Sequence, residues 1–229
     1  MRRLRLEICC KRNRYGEWCG RMSIKLSVCI PVWNQERLVL NALDHIPRRD
    51  DVEVLVRNDG STDNTLSNLF QYKAEHPELN LTIYSNGENK GMYYTLNRLL
   101  EDAKGEYFHC HNSDDYVDTE VYNRLIDRLG GMDVLGFDLR INDGHVWPLR
   151  AETNRIHCAQ AIRFIRKEFV DRDRIKYREE LKAASDWYYN EDMLRHNPII
   201  VYSGEVCYMY NFPREGSLVD LRSKGIIGE

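Results

Sequence analysis

Cysteine pairs at metal or redox spacing are missing from this 229-residue chain. Its seven cysteines (Cys9, Cys10, Cys19, Cys29, Cys110, Cys158 and Cys207) are odd in number and form no C-x-x-C. That argues against a disulfide framework and a zinc ribbon and favours a reducing compartment. No G-x-G-x-x-G and no G-x-x-x-x-G-K-[ST] occurs, so the standard dinucleotide and P-loop solutions are excluded. No G-x-S-x-G or H-E-x-x-H occurs either, which removes the usual serine hydrolase and zinc protease patterns. No segment approaches the roughly 18 uninterrupted apolar residues of a membrane span. Net charge is only −3, so bulk charge calls for no polyanion, and nucleic acid is not an expected partner.

The start is basic, with Arg2, Arg3, Arg5, Lys11, Arg12, Arg14 and Arg21. No apolar run follows it, as a secretory leader would require, so the expected location is the cytoplasm. Residues 1–22 read as an unstructured basic extension. A second reading is an arm that touches anionic lipid, which would make the protein peripheral to a membrane.

What is present is a globular composition, 42% apolar and 30% charged, at a length suited to one domain. Leu26-Ser27-Val28-Cys29-Ile30 reads as a buried strand stopped by Pro31, after which Asn34 can cap a helix. Val39, Ala42, Leu43 and Ile46 recur at helical spacing. A second strand spans 52–56, and the turn Asp59-Gly60-Ser61-Thr62 leads into a helix with Leu66, Leu69 and Phe70 inward. Leu81–Tyr84 is a third strand, and Met92, Leu96, Leu99, Leu100 and Ala103 mark a third helix. Glu106–Cys110 is a fourth strand, followed by a helix through Val121, Leu125, Ile126 and Leu129, then a strand over 133–137. Residues 160–182 read as a charged helical stretch with Ile162, Ile165, Phe169 and Ile175 on one side. Residues 198–203 and 206–212 read as a hairpin around Ser203-Gly204. Strands alternating with helices predict an α/β fold: a mostly parallel sheet with helices on both faces.

Ligands of such sheets bind beyond the carboxyl ends of the strands. Polar residues follow each strand there: Trp33, Asn34 and Glu36; Asn58, Asp59 and Asp63; Asn86, Asn89 and Lys90; Asn112, Ser113, Asp114 and Asp115. Adjacent carboxylates at a strand end suit a hard divalent cation such as Mg²⁺ or Mn²⁺, which shares oxygen ligands with phosphate. The same aspartates could instead cap the following helix. His109 and His111 alternate on one strand face. They read as sheet residues near that edge rather than as a zinc site, for which partners at ligand spacing are missing.

Four blocks in this order resemble the family 2 glycosyltransferases of GT-A fold. They are the strand ending in Pro31-Val32-Trp33-Asn34, then Val56-Arg57-Asn58-Asp59-Gly60-Ser61-Thr62-Asp63, then Asn89-Lys90-Gly91 with Asn97, then Tyr107 to Asp115. The resemblance implies a GT-A nucleotide-binding sheet with an acceptor-side part packed on it. It implies one domain over 23–220, with a nucleotide-sugar half at 23–130, an acceptor half at 131–220 and a tail at 221–229. Pro31, Asn34 and Asp59 would line the base and ribose, and Asn89 and Gly91 would flank the donor. Asp114 would ligate the metal on the diphosphate, with Asp115 orienting nearby groups. Asn58 and Asn112 stand where the family usually carries aspartate.

The resemblance also implies a general base about 70 residues later. Ser185-Asp186-Trp187 fits that phrase, with Ser185 in place of glutamate, so Asp186 is the expected base. Glu191-Asp192 is a literal rival for the role. Tyr208, Tyr210 and Ser217 resemble the family's closing Tyr-x-Tyr and Ser, which would end the catalytic domain near Leu218. The implied activity is metal-dependent, inverting sugar transfer from a nucleotide-diphosphate sugar to a glycan or lipid-linked glycan. The alternative is a catalytically impaired nucleotide-sugar binding protein of the same fold.

Overall fold

The computed structural model describes residues 11–12, 18–19, 23–149, 160–181 and 184–212. The tail, Ser217, Leu218 and most of residues 1–22 lie outside them. Within the basic start, Lys11–Arg12 (β1) and Trp18–Cys19 (β2) pair antiparallel as a short ribbon.

The domain proper begins with β3 (Leu26–Val32), whose seven residues are all buried. Alternation across the pleat sends successive side chains to opposite faces. Val28 and Ile30 enter one core, while Cys29 enters the other. Each core needs a helical cover, because a strand apolar on both sides leaves neither face for water. On one side lie α1 (Leu38–Asp44), α2 (Thr65–Glu75) and α4 (Thr119–Asp127). On the other lie α3 (Met92–Asp102), α5 (Lys167–Asp173) and α6 (Ser185–Arg195). Leu96 and Leu99 of α3 are fully enclosed. Burial of one such side chain contributes about 1.5–3 kcal/mol.

The remaining strands are β4 (Val52–Asn58), β5 (Leu81–Ser85), β6 (Tyr107–Cys110), β7 (Tyr116–Val117), β8 (Val134–Ile141), β9 (Val146–Trp147), β10 (Arg163–Arg166) and β11 (Ile200–Tyr210). The order across the sheet is β5-β4-β3-β6-β10-β8-β11-β7, with β9 on β8. The first four strands are parallel. β10 runs antiparallel between β6 and β8, β11 is parallel to β8, and β7 is antiparallel to β11. The second half therefore extends the sheet of the first.

Several local expectations change. Pro31 does not stop the first strand, because β3 runs on to Val32 against β4 after its pairing with β6 has ended at Cys29. Asn34 caps no helix; α1 starts at Leu38, and Asn34 sits in the left-handed region at φ 52°. In α2 the buried positions are Thr65, Leu69 and Tyr72, at i, i+4 and i+7, and Phe70 is 56% exposed. One residue past Leu69 is a 100° rotation, which carries Phe70 off the packed stripe.

The charged stretch from 160 is not one helix. A 3₁₀ turn (Gln160–Ile162) leads into β10, and only then into α5. Phe164 and Ile165 fill the slot between β6 and β8, so tertiary pairing overrides the helical spacing. The expected hairpin is a single strand, β11, with a register irregularity between Tyr202 and Tyr208. Gly204 takes φ 69° there, so the residues that read as a turn form a bulge instead. Trp147 belongs to β9 and pairs with Leu139.

Candidate donor and acceptor site

Parallel β5, β4, β3 and β6 bring four polar loops to one rim. The first three are fastened to one another before any ligand is considered, and the fourth to β11 and the residue after it. After β3, the Asn34 N–H donates to Ser61 Oγ at 2.9 Å, and its Oδ1 accepts the Thr62 N–H at 2.8 Å. Glu36 Oε2 accepts the Asn64 N–H at 3.3 Å. Asn34 and Glu36 thus join the first loop to the turn before α2. Trp33, beside them, is 49% exposed. Asp63 accepts from the N–H and hydroxyl of Thr65 and so starts α2.

After β4, Asn58 and Asp59 are both buried. Asn58 Oδ1 accepts the Ser61 N–H, and its amide donates to Ser85. The Asp59 carboxylate accepts from Asn86 Nδ2 at 2.8 Å and from the Lys90 and Gly91 N–H groups at 2.9 Å. Asp59 therefore shapes the loop that carries Asn89 and Gly91, through charge-assisted bonds. Gly60 has φ +68°, and a Cβ there would meet the backbone of Glu88 at 2.3 Å and of Asn89 at 2.5 Å. Only glycine lets the second and third loops approach this closely. Gly91, at φ 92°, opens α3, and Asn89 is exposed, with its Oδ1 accepting the Gly91 N–H.

The fourth loop carries Asn112, Ser113, Asp114 and Asp115. The helix after it is capped by Asp118, whose Oδ1 accepts from Glu120 and Val121. The two aspartates are thereby relieved of the capping role. Asp115 is fully buried. Its Oδ2 accepts from Tyr208 Oη at 2.6 Å and Asn112 Nδ2 at 2.9 Å, and its Oδ1 from the Asn211 N–H at 2.8 Å. Burial, and then the charge of neighbouring Asp114, raise its pKa to about 6, while those three donors work the other way. Asp114 is half-buried.

His109 and His111 are enclosed sheet residues. His109 uses one ring nitrogen on Tyr122 Oη and the other on the Ala161 carbonyl, both at 2.7 Å. His111 Nδ1 lies 2.6 Å from the Asn112 carbonyl oxygen. That contact requires a proton on Nδ1, since a carbonyl only accepts. Burial lowers the His111 pKa to about 4 and holds that of His109 well below the usual imidazole value.

A divalent cation fits this turn as a shared site. Asp115 has both oxygens in protein hydrogen bonds, and Asn112 directs its amide to Asp115. Among the described residues no group of three or more His, Cys, Asp or Glu forms a ready cage. Asp114, half-buried between Asn112 and Asp115, is the residue that would hold Mg²⁺ or Mn²⁺, which would complete its oxygen shell from a diphosphate and water, as is usual for these ions on nucleotides.

Asp186 and its rivals lie on α6. β11, which follows that helix, begins at Ile200 against Val134, the first residue of β8. The C-terminal end of α6 thus leads to the edge opposite the rim, and Asp186 lies in the first turn, at the other end of the helix. Ser185 is buried and accepts the Arg178 N–H through Oγ at 2.6 Å. Trp187 and Tyr188 are each 40% exposed beside Asp186. Asp192 pairs with Arg195 at 2.8 Å and Arg178 at 3.5 Å, and lines a separate cavity of about 420 Å³ with Arg174, Lys176 and His196. Asp192 and Asp186 stand about 9 Å apart along the helix axis. Glu191 is half-buried next to Asp192.

Sequence reasoning gave no chemical role to Tyr208 or Asn211. Tyr208 carried a signal in its Tyr-x-Tyr pattern. Asn211 carried none, because it acts through its backbone.

The chain is similar to known proteins over most of its length. It is 23% identical to the uncharacterized glycosyltransferase EpsJ of Bacillus subtilis, over 89% of this chain and 65% of EpsJ. It is 25% identical to a poly(ribitol-phosphate) beta-glucosyltransferase of Bacillus spizizenii, over 84% of this chain and 33% of that protein. The crystal structure of Staphylococcus aureus TarS 1–349 with UDP-GlcNAc superimposes with a TM-score of 0.71 at 28% identity, over 84% of this chain and 60% of TarS 1–349. The chain thus spans less than two thirds of each of these relatives. Glycosyl transferase family 2 matches residues 27–196, which takes in all four rim loops and α6, and the chain belongs to that family.

Proposed function

We propose that this chain transfers a sugar from a nucleotide-diphosphate sugar to a hydroxyl of a glycan or lipid-linked glycan, in glycan or polysaccharide synthesis. The observation that carries this reading is the set of four rim loops, three braced to one another through Asn34 and Asp59 and the fourth, with Asp114, anchored to β11 and Asn211 through Asp115. The similarity to TarS, whose structure holds UDP-GlcNAc, supports a UDP-sugar as the donor to try first. Pro31, Trp33, Asn34, Glu36, Asn58 and Asp59 form the base and ribose side, directly or by shaping the loops. Asn89 and Gly91 flank the donor, and Asn112, Ser113 and Asp114 face its diphosphate. Mn²⁺ or Mg²⁺ at Asp114 would neutralise charge on the leaving diphosphate.

Asp186 is the base of this proposal, with Asp192 and Glu191 as runners-up. The acceptor oxygen forms its bond to the anomeric carbon as the carbon–oxygen bond to the diphosphate breaks. The electron pair leaves with the diphosphate, and the acceptor proton passes to Asp186. One displacement inverts the anomeric centre.

Asn58, Asn112 and Ser185 favour a second reading, a nucleotide-sugar binding protein without transfer. The two readings part in one experiment. Nucleotide-sugars are screened by thermal shift with and without Mn²⁺, and released nucleotide is then measured with the best binder. A transferase releases nucleotide and loses that release on Asp186→Ala; a binding protein forms the complex and releases none. No helix among the described residues is long and apolar enough to cross a membrane. The cytoplasm is the proposed location, with the basic start as the element to test for contact with anionic lipid.

A further inference from the structure

We propose that Tyr208 is a positioning residue for the donor: its hydroxyl, with the Asn112 amide, fixes Asp115 and thereby aims Asp114 at the diphosphate and its cation. This rests on the donor site proposed above.

One hydroxyl holds both ends of the turn. Tyr208 Oη donates to Asp115 Oδ2 at 2.6 Å and accepts the Asn112 N–H at 3.3 Å. Asp114 sits between these two anchored residues, so its backbone has little freedom. Tyr208 is itself immobile. It is 1% exposed, its backbone pairs with Val117 on one side and Leu139 on the other, and its ring packs on His111 at 5.4 Å. The aim of Asp114 is therefore set by β11, a strand in the acceptor half.

The buried carboxylate needs this device. Neutral donors surround Asp115, from Tyr208, Asn112 and Asn211, and a charged group with such partners is held in one orientation. An apolar residue would pack as well and cost less, so the carboxylate serves orientation more than stability. Asn112 belongs to the same device. An aspartate there would bring a second carboxylate to within about 3 Å of Asp115 Oδ2 and remove a donor. The asparagine leaves the turn with fewer charges and concentrates cation binding on Asp114.

The test is titration calorimetry of Mn²⁺ with UDP on the full chain, with thermal melts alongside. Tyr208→Phe keeps the ring and deletes the hydroxyl. Tyr208 supports the ligand's neighbours rather than the ligand; loss of such outer support weakens metal binding by about 10–100-fold, and a loss at the lower end is the expected result. Turnover is expected to recover at saturating Mn²⁺, which a general loss of structure would not allow. Tyr202→Phe, six residues earlier on the same strand and paired with Gly136, is expected to bind as the parent does. Binding by Tyr208→Phe within about twofold of the parent overturns the positioning role. Where Tyr208→Phe fails to fold, Asn112→Ala decides by the same criterion. A parent chain that shows no Mn²⁺-dependent UDP binding overturns instead the donor reading on which this rests.

Discussion

Asn97 and Tyr177 bind each other twice. Asn97 Nδ2 donates to the Tyr177 carbonyl at 2.9 Å, and the Tyr177 N–H donates to Asn97 Oδ1 at 3.0 Å. A side-chain amide here does the work of a strand neighbour. It fastens α3, in the nucleotide half, to the segment that leads towards α6. Asn97→Ala leaves a buried N–H and a carbonyl without their partner. Equilibrium urea unfolding is expected to show a loss of about 2–4 kcal/mol. A loss under about 0.5 kcal/mol would mean that water replaces the amide at no cost.

Asp186→Asn is expected to lower turnover by about 10²–10⁴-fold while leaving nucleotide binding intact, as the removal of a general base does. Asp192→Asn is expected to keep turnover within a few-fold, since that carboxylate pairs with Arg178 and Arg195. Reversal of the two outcomes would move the base to Asp192.

Asn112→Asp sets acceptor against acceptor at Asp115. A thermal melt at pH 8 is expected to fall, by roughly 1–3 kcal/mol of stability. The fall should be smaller at pH 5, because Asp115, with its pKa raised to about 6, is then mostly protonated. Equal losses at the two pH values would show that charge repulsion is not the cause.

Acid should unfold the metal-free protein through its buried histidines. Burial lowers His111 to about 4 from 6.5 and holds His109 well below its ordinary value. The unfolded chain then binds more protons than the folded one below pH 6.5, so stability falls as pH drops through that window. Asp115 opposes this. Its raised pKa means that the folded state binds the extra proton between 3.8 and about 6. Two histidines outweigh one aspartate. Urea midpoints measured from pH 7 to 4 should decline, and His111→Gln should flatten the decline by about 1.4 kcal/mol per pH unit. An unchanged slope in that variant would show that His111 is not the group responsible.

Adjacent residues of α2 should differ sharply. Leu69→Ala is expected to cost about 2–5 kcal/mol, because the leucine is fully enclosed. Phe70→Ala should fall within about 0.5 kcal/mol of the parent, because the ring is exposed. Urea unfolding of the two variants checks both.

The first half of the chain was legible because its signals are local. Val28, Val54 and Leu96 declare strands and helices by their spacing, and Gly60 and Gly91 declare turns by the backbone freedom that those turns require. The second half was less so. Phe164 and Ile165 sit among arginines at spacing compatible with a helix, and only the slot between β6 and β8 makes them a strand. Ser203-Gly204 carries turn chemistry, but a bulge uses the same residues. Asn34 has the composition of a helix cap and spends it on Ser61 and Thr62, 27 and 28 residues away.

By itself the sequence determined the class of fold, the polar rim and the four blocks that mark the family, since each follows from periodicity or a short motif. Only the tertiary structure decided what the polar groups do. Asp59 braces a loop, Asp118 takes the cap, and Asp115 is buried beneath Tyr208, 93 residues away. The reason is physical: a carboxylate's role depends on which donors surround it, and those donors arrive from strands and loops distant in the chain.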